Sequence, residues 1–194
     1  DCVINITEHD LQTHNAVRLL VEGDHIGEIG LLYNCKRTAS VVSRNYNVMA
    51  RLGIHRFREL QVEFPEFKKY LRKYVQGYNY RKKTFILNVM KQIEFLENLT
   101  KEQQMTVLYS LKQKHYEKDM VILKQQEAIE TIYIIMYGQL EIYTEMEGNE
   151  FVIERLNKGS IINHNMFLMD DVSQVNIRAS ESSHVLEFNR DLYE

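Results

Sequence analysis

Cysteine is scarce in this chain of 194 residues. Cys2 and Cys35 stand far apart, without the spacing that metal-binding or disulfide-rich proteins use. No run of eighteen apolar residues occurs, and the first residues lack the charged start and apolar core of a secretion signal. We therefore expect an intracellular protein of a reducing, cytoplasmic compartment, without zinc or disulfide bonds.

Catalytic signatures are also missing from the sequence. The chain has no Walker motif, no local Ser-His-Asp or Cys-His pattern, and histidines that are scattered without ligand spacing. A site that hydrolyses a phosphate ester would usually recruit metal ligands, and no such cluster is evident. We therefore predict a protein that is not an enzyme and that holds neither a metal nor a cofactor.

The net charge of -3 is small and negative, whereas a nucleic-acid-binding protein usually carries a positive charge. Residues 51–91 depart from this average, with eleven Lys or Arg against three Glu. Such a stretch most often forms a solvated helix face, and an acidic protein partner or an anionic membrane surface are the alternatives. Tyrosines interleave with these charges, but helical tyrosines more often pack half-buried than stack on bases, so we predict no nucleic-acid partner.

Proline occurs once, at Pro65, inside a stretch whose apolar residues recur every three or four positions. Because proline removes a helical hydrogen bond, we expect two helices to meet there. A further helical stretch should place four apolar residues on one face: Phe85, Val89, Ile93 and Leu96. Thr100 and Gln103 have the spacing of a capping box that opens another helix.

Short strands are predicted on both sides of these helices, bounded by turn signals. The predicted strand segments are INIT, AVRLLVEG, VVS and YNVMARL before the helices, and VILK, TIYIIMYG, QLEIYTEM, FVIERL and HVLEF after them. The order of strands, helices and strands indicates a mainly β fold with helices, in the α+β class, with two β-rich units. We place the first unit at residues 1–76 and the second at residues 77–194.

An internal repeat supports the division into two units. When Gly23 is aligned with Gly159, EGDHIGEIGLLYNCKRTASVV and KGSIINHNMFLMDDVSQVNIR share a rhythm of turn glycine, apolar cluster, small polar run and strand. The chemistry does not repeat, because Glu28 falls on His164 and Arg37 falls on Ser173. We therefore expect one competent site and one degenerate counterpart.

The stretch GEIGLLYNCKRTASV, residues 27–41, has the residues needed to hold an anion that also carries a hydroxyl group. Gly27 permits unusual backbone angles and close approach of a ligand, and a short helix starting at Glu28 would point free N–H groups at one spot. Arg37 would supply a guanidinium for phosphate oxygens, and Glu28 would accept protons from a hydroxyl. The alternative is a surface salt bridge between Glu28 and Arg37, which would not explain the glycine.

This stretch resembles the phosphate-binding cassette of cyclic-nucleotide-binding domains, and LLYNCKRTAS is similar to the first such domain of cGMP-dependent protein kinases. The resemblance implies cGMP or cAMP as the ligand, with Glu28 at the ribose 2'-hydroxyl and Arg37 at the cyclic phosphate. It also implies that the backbone of Gly27, Ile29 and Ala39 lies near the ligand. Thr38 resembles a threonine that favours guanine, and Ser40 and Val41 would close the pocket wall. Contacts to the base are left open between Tyr78, Tyr80 and Phe85.

The stretch LGIHRFRELQVEFPEFKKYLRKY resembles the helices that follow the barrel in cyclic-nucleotide-regulated channels. The segment from IEFLENLTKEQQ to GQLEIY resembles the opening half of a second cyclic-nucleotide-binding domain, and the layout is most similar to protist cation channels and related multi-domain proteins. The resemblance implies two jelly-roll-like β-barrels joined by helices, the first incomplete at its N-terminus and the second degenerate and without its final helix. The resemblance further implies that the chain is a regulatory region of a larger signalling protein, kinase or channel. If the parent protein is a channel, this region would be the cytoplasmic part of a membrane protein. Its partners would be a cyclic nucleotide and the rest of its own parent chain, with binding transmitted through the helices between Ile54 and Leu96. The alternative is a scaffold of degenerate domains that binds no ligand.

Overall fold

A computed structural model describes residues 2–5, 18–78, 80–169 and 171–192. Contacts within the chain define two compact units. The first comprises Asp1–Thr84 with Thr100–Tyr109, and the second comprises Phe85–Leu99 with Ser110–Glu194. The predicted boundary between residues 76 and 77 remains a prediction, because this division reports packing and does not test domain identity.

The first unit has a three-stranded antiparallel sheet, part of which lines the cavity described below. Its strands are β1 (Cys2–Asn5), β2 (Arg18–Leu20) and β3 (Ser40–Ser43), in the order β2-β1-β3. The strand predicted at YNVMARL is wrong, since residues 46–52 have no regular structure and are exposed throughout. A strand needs a neighbour for its backbone groups, and no described strand lies beside this segment. Residues 6–7 and 16–17, which were included in predicted strands, lie outside the described residues.

Helices supply most of the remaining first unit. They are α1 (Glu28–Leu32), α2 (Ile54–Glu63), α3 (Pro65–Gln76) and, later in the chain, α6 (Lys101–Ser110). Pro65 is the first residue of α3, so the predicted break between two helices is confirmed. At that position the missing N–H is not needed, because the first turn has no intrahelical acceptor. Of the residues whose helical spacing predicted a common face, Phe57 and Leu71 are buried, Leu60 and Phe67 are half-buried, and Phe64 is exposed.

The predicted helical stretch over residues 85–96 is divided in two. Helix α4 (Arg81–Met90) ends in a turn, and α5 (Glu94–Glu97) follows it. Of the four residues predicted to share a face, Val89, Ile93 and Leu96 are buried and Phe85 is half-buried. The capping box is confirmed: the backbone N–H of Gln103 donates to the Thr100 hydroxyl at 3.3 Å, and the Thr100 N–H donates to the Gln103 side chain at 2.9 Å.

The second unit contains two four-stranded antiparallel sheets. Their strands are β4 (Lys112–Tyr116), β5 (Val121–Leu123), β6 (Thr131–Tyr137), β7 (Leu140–Met146), β8 (Asn149–Leu156), β9 (Ile161–Ile162), β10 (Asn176–Ala179) and β11 (Ser183–Asn189), followed by a 3-10 turn at Arg190–Leu192. One sheet has the order β5-β10-β7-β8 and the other has the order β4-β11-β6-β9. All five strand segments predicted after the helices are confirmed.

The core of the second unit is apolar and lies along these strands. Strand β6 is buried at four consecutive positions, and both sheets contribute residues to one cluster. The buried members of that cluster are Tyr116, Leu123, Tyr133, Ile135, Leu140, Ile162, Ile177, Ala179 and Val185. Burial of such side chains is the main stabilising contribution, at about 25 cal/mol per Å² of apolar area. Among the described helices, none combines the length and the apolar character that crossing a bilayer requires.

Candidate ligand-binding site

A cavity of about 490 Å³ opens within the first unit, beside the Gly27 to Val41 stretch. Three parts of the chain line it: strand β2 with the turn that follows, the segment around α1, and the loop between α3 and α4. The lining residues are Arg18, His25, Ile26, Gly27, Glu28, Ile29, Gly30, Arg37, Thr38, Ala39, Val41, Tyr78 and Tyr80. The cavity has the size of a small-molecule site, since such sites usually measure roughly 300 to 1,000 Å³.

Gly27 shapes the floor of this cavity together with Arg37. Its φ of 87° lies in the left-handed region, which side chains with a Cβ rarely adopt. The guanidinium of Arg37 donates from Nη1 to the Gly27 carbonyl oxygen at 2.8 Å. A Cβ at position 27 would come within 2.5 Å of the same Nη1 atom. Glycine therefore permits both the backbone turn and the approach of the cation.

Glu28 is the first residue of α1 and is only 7% exposed, although it is a carboxylate. Its Oε1 atom accepts a hydrogen bond of 2.6 Å from the Tyr78 hydroxyl. Its Oε2 atom is buried and has no hydrogen-bond partner. Because a buried polar atom without a partner costs about 1 to 3 kcal/mol, Oε2 is ready to accept a proton donor in the cavity.

Tyr78 is held over Glu28 by its neighbours in the first unit. Burial raises the pKa of the Tyr78 phenol far above its ordinary value, and the hydrogen bond to Glu28 raises it further. The phenol therefore stays protonated and acts as the donor. Arg18 lies 5.6 Å from the centre of the Tyr78 ring, donates to Asp24 Oδ1 at 2.8 Å and donates to the Tyr74 hydroxyl at 3.3 Å.

A second group of tyrosines lies next to this wall. The Tyr80 hydroxyl is 3.4 Å from the Tyr109 hydroxyl, and the rings of Tyr109 and Tyr33 are 4.7 Å apart. Burial raises the pKa of all three phenols, so they remain neutral. Tyr33 also closes α1, because its backbone N–H donates to the Ile29 carbonyl at 3.0 Å. The short helix that carries Glu28 is thus packed against α6.

Lys83 fixes the loop that presents both cavity tyrosines. It is 6% exposed, and its ammonium donates to the backbone carbonyls of Gln76 at 2.8 Å and Tyr78 at 2.7 Å. Burial lowers the pKa of this lysine. The three-donor ammonium satisfies carbonyls at the end of α3 that have no intrahelical partner.

Six of the seven predicted site residues line the cavity: Gly27, Glu28, Ile29, Arg37, Thr38 and Ala39. Ser40 does not line it and instead begins strand β3. Of the three candidates for base contact, Tyr78 and Tyr80 line the cavity. Phe85 belongs to the second unit, where its ring lies 5.1 Å from the Lys158 ammonium.

Sequence reasoning missed four lining residues, of which Arg18 and His25 carry polar side chains and Ile26 and Gly30 do not. His25 packs its ring 4.6 Å from that of Tyr74, and its Nε2 atom is buried without a partner. No local pattern could have identified Arg18 and His25, since their neighbours across the cavity are about fifty residues away in sequence. The alternative of a Glu28–Arg37 salt bridge is not seen, as the ion pairs of the described residues do not include it.

The aligned part of the second unit has the same backbone rhythm. Gly23 and Gly159 both have positive φ, at 86° and 92°, and Gly27 corresponds to Asn163, whose φ is 69°. Strand β3 corresponds residue for residue to β10 under the same alignment. The repeated pattern in the sequence therefore has a counterpart in local structure.

At these second-unit positions, Asn163, Ser173 and Phe167 bond or pack within the protein, whereas the Nδ1 atom of His164 is buried without a partner. Asn163 donates from Nδ2 to the Thr131 carbonyl at 3.1 Å, and Ser173 is 2% exposed with its hydroxyl donating to the Val175 carbonyl at 2.7 Å. Phe167, in the segment that aligns with α1, is 1% exposed and packs against Phe95 and Phe188. Within the described ranges, no three His, Cys, Asp or Glu side chains are grouped so as to hold a metal ion.

Comparison with protein-family models gives a match over residues 113–194, to the family described as the cyclic nucleotide-binding domain. The matched range lies in the second unit and does not include the cavity. It identifies the second unit as similar to domains of this family, whereas the first unit is outside the match.

Curated relatives extend the similarity over most of the chain. Human cGMP-dependent protein kinase 2 is 25% identical over 158 residues, which is 80% of this chain and 19% of the kinase. The cAMP-dependent protein kinase regulatory subunit of Schizosaccharomyces pombe is 22% identical over 194 residues, which is 98% of this chain and 43% of the subunit. The chain therefore spans less than half the length of either relative.

Solved structures show the fold. A cyclic nucleotide-binding-like protein from Brucella abortus has a TM-score of 0.51 at 16% identity, over 55% of this chain and 92% of that protein. The sensor domain of the transcriptional regulator DNR from Pseudomonas aeruginosa has a TM-score of 0.50 at 21% identity, over 59% of this chain and 77% of that domain. The expected mainly β, jelly-roll-like fold with antiparallel sheets and helices is thus confirmed.

Proposed function

We propose that the first unit binds a cyclic nucleotide, cGMP or cAMP, in the cavity beside Gly27, and that the chain is a regulatory region. One observation carries the proposal: a single cavity presents a buried carboxylate with an unpartnered oxygen and a guanidinium that is in no ion pair with a described residue. These are Glu28 and Arg37. A ligand with a hydroxyl group at one end and an anionic phosphate at the other satisfies both.

The chemistry of a cyclic nucleotide matches the two groups. The ribose 2'-hydroxyl can donate to Glu28 Oε2, which would leave the Tyr78 bond to Oε1 intact. The cyclic phosphate can accept charge-assisted hydrogen bonds from Arg37, and these are stronger than the neutral carbonyl contact that Arg37 makes with Gly27. Exchange of that carbonyl for a phosphate is therefore favourable.

The base would lie toward the tyrosine wall. Tyr78 and Tyr80 line the cavity and present aromatic surface on which a purine can stack. Thr38 follows Arg37 and also lines the cavity. A threonine hydroxyl both donates and accepts, so Thr38 can bond to the donors and acceptors that distinguish guanine from adenine. We therefore favour cGMP over cAMP at this site.

The second unit is proposed to be a degenerate copy that binds no nucleotide. The positions aligned with Glu28 and Arg37 hold His164 and Ser173, and Ser173 is buried and bonded within its own loop. The matching backbone rhythm supports tandem domains of one origin, which is the arrangement proposed here. The identity of the parent protein as a kinase or a channel, and its cytoplasmic location, remain predictions.

Transmission is proposed to run through the helices from Ile54 to Leu96. Tyr78 lies in the loop that joins α3 to α4 and bonds directly to Glu28, so a change at Glu28 reaches that loop without an intermediate. A ligand can shift such a segment only by its difference in affinity for the two states. The hydrogen bond between Tyr78 and Glu28 is the contact through which a ligand at Glu28 would produce such a difference.

Calorimetric titration of cGMP and of cAMP into the chain tests the proposal. We expect saturable binding at one site per chain, and Arg37→Ala should weaken it by about 2 to 4 kcal/mol because a charge-assisted partner of the phosphate is lost. Lys36→Ala is the matched control, since Lys36 is an exposed neighbouring cation that does not line the cavity. Equal affinity of the Arg37→Ala variant and the wild type would refute the site, and no binding of either nucleotide would favour the scaffold.

Selectivity between the two nucleotides is tested by Thr38→Ala. We expect this variant to lose preference for cGMP while its affinity for cAMP is retained, because only the guanine contact is removed. Ser40→Ala serves as the control, since Ser40 lies outside the cavity lining. An unchanged ratio of cGMP to cAMP affinity in Thr38→Ala would show that this residue does not read the base.

A further inference from the structure

The first unit has a continuous exposed segment that is both apolar and basic. Residues 41–54, here called the basic apolar segment, are all exposed and include no acidic residue. Their large apolar members are Val41, Val42, Tyr46, Val48, Met49, Leu52 and Ile54. Arg44 and Arg51 are exposed and form no ion pair with any residue that the structure describes.

Exposure on this scale is unusual for a folded chain. Tyr46 and Val48 are as exposed as residues of an extended peptide, at 106% and 104%. Isolated apolar residues at a surface need no explanation, whereas contiguous apolar patches mark interaction sites. The segment also begins with β3, which lies at the edge of its sheet and pairs with β1 alone among described strands.

The second unit has an exposed element of opposite charge. Residues 145–154, here called the acidic apolar hairpin, are all exposed and include no basic residue. They contain four carboxylates, on Glu145, Glu147, Glu150 and Glu154. Their exposed apolar residues are Met146, Phe151, Val152 and Ile153.

Charge within the acidic apolar hairpin is mostly uncompensated. Glu150 accepts a bond of 2.7 Å from Arg178, but Glu145 and Glu154 are in no ion pair among the described residues. Glu145 lies directly opposite Glu150 in the β7–β8 pairing, and like charges in that position repel. A cationic partner would remove this repulsion.

Strand β8 also leaves a sheet edge for a partner. It is the last strand in the order β5-β10-β7-β8, runs over eight residues without proline, and carries the charges of Glu150, Glu154 and Arg155. Unpaired backbone groups at such an edge attract another strand, and the two carboxylates favour a strand that is cationic. An edge of this kind can bind an extended segment by adding it to the sheet.

We infer that the acidic apolar hairpin of one copy of this chain binds the basic apolar segment of a second copy. The two surfaces match in three independent properties: opposite charge, exposed apolar side chains, and a strand at a sheet edge. The contact is heterologous, meaning that different surfaces of the two copies meet, so each dimer keeps one unused surface of each kind. Assembly therefore continues into rings or chains as concentration rises.

Sedimentation velocity of the full chain tests this inference. We expect the average mass to rise with protein concentration and to fall with added sodium chloride, because exposed charges are screened by salt. Arg51→Glu and Glu147→Lys should each weaken self-association by roughly tenfold or more, since each places like charges opposite one another. Lys118→Glu and Glu22→Lys make the same changes in net charge at exposed positions outside both surfaces, and they should associate as the wild type does.

A mixing experiment distinguishes this contact from other forms of association. Arg51→Glu keeps an intact acidic apolar hairpin and Glu147→Lys keeps an intact basic apolar segment. An equimolar mixture should therefore associate more strongly than either variant alone, because the hairpin of Arg51→Glu meets the basic apolar segment of Glu147→Lys. Circular dichroism of each variant confirms that it is folded. A wild type that stays monomeric at all concentrations, association that the two variants leave unchanged, or a mixture that remains monomeric would each overturn the inference.

Discussion

At the scale of single residues, the cavity depends on two polar side chains that lack some of the hydrogen-bond or ionic partners they could have. Glu28 is buried with one oxygen bonded to Tyr78 and the other without a partner. Arg37 contacts a neutral carbonyl of Gly27, although a guanidinium bonds more strongly to an anion. Each group is thus positioned before any ligand arrives, which lowers the entropy lost on binding.

Two glycines permit a matched test of the cavity floor. Gly27 and Gly23 have φ values of 87° and 86°, so alanine should cost about 1 to 2 kcal/mol of stability at either position. The surroundings differ: a Cβ at Gly27 meets Arg37, whereas a Cβ at Gly23 meets nothing within 4 Å. We therefore expect similar losses in urea denaturation, with weaker nucleotide binding in Gly27→Ala alone. Equal loss of binding in both variants would mean that backbone strain, and not the Arg37 contact, controls the site.

The residues of the site were predictable only where they are close in sequence. Glu28 and Arg37 are separated by nine positions in one loop and helix, so their spacing already indicates a common ligand. Tyr78 and Arg18 reach the same cavity from distant segments. Their contribution depends on how α3 and β2 pack, which no local pattern encodes. Tyr78 and Tyr80 were named as candidates beside Phe85, and the structure separates them from it.

At the scale of secondary structure, the outer face of one sheet in the second unit is held by an ionic cluster. Glu141 on β7 accepts bonds from Arg155 on β8 at 2.8 Å and from Arg178 on β10 at 3.2 Å. Arg178 also lies 4.4 Å from the centre of the Tyr143 ring. The bond from Arg155 chiefly, and that from Arg178, lower the pKa of Glu141, although partial burial opposes the shift. Three neighbouring strands are therefore linked through one carboxylate.

This cluster gives the second unit a defined dependence on acid. Because the native pKa of Glu141 lies below the ordinary value of about 4.3, its stabilising effect is complete above that pH and is lost as the pH falls through the native pKa. We expect Glu141→Gln to lower the free energy of unfolding by about 1 to 2 kcal/mol at pH 7. The difference from the wild type should shrink below about pH 4.

Chemical denaturation at several pH values measures this effect. Glu181→Gln is the control, since Glu181 is an exposed residue of the same unit and forms no ion pair among the described residues. A constant difference between Glu141→Gln and the wild type from pH 3 to pH 7 would contradict the assignment, because it would show that the charge of Glu141 does not contribute.

Elements were predicted well where their pattern was self-contained. The helix break at Pro65 follows from proline chemistry, and the capping box at Thr100 follows from two side chains three positions apart. The predicted strand over residues 46–52 is wrong because its alternating pattern has no neighbouring strand to complete it. The break after α4 at Met90 also has no proline or glycine signal in the sequence.

At the scale of the whole molecule, the proposal places one binding site in a chain with two units. Saturating nucleotide should slow hydrogen exchange at residues 25–41 and 74–80, which carry the cavity lining, and in the helices between Ile54 and Leu96. Strands β4 to β11 should change least, because no second site is proposed there. Binding at about one hundred times the Kd would add about 2.7 kcal/mol to the stability of the bound unit.

Exchange measured by mass spectrometry, with Arg37→Ala as the control, checks this pattern. Protection confined to the cavity residues would leave the binding proposal intact but contradict transmission through the helices. Equal protection of strands β4 to β11 would contradict the proposal of a single competent site.

The sequence by itself determined the type of most local elements and the contrast between the two repeats. Helical and strand periodicity, proline and capping chemistry, and the close spacing of Gly27, Glu28 and Arg37 all act over a few residues, so they can be deduced without coordinates. Only the tertiary structure decided that Tyr78 bonds to Glu28, that Arg18 lines the same cavity and that Ser40 does not. The physical reason is that a cavity is made by segments that pack from far apart in the chain, and packing depends on the shape and burial of all its neighbours together.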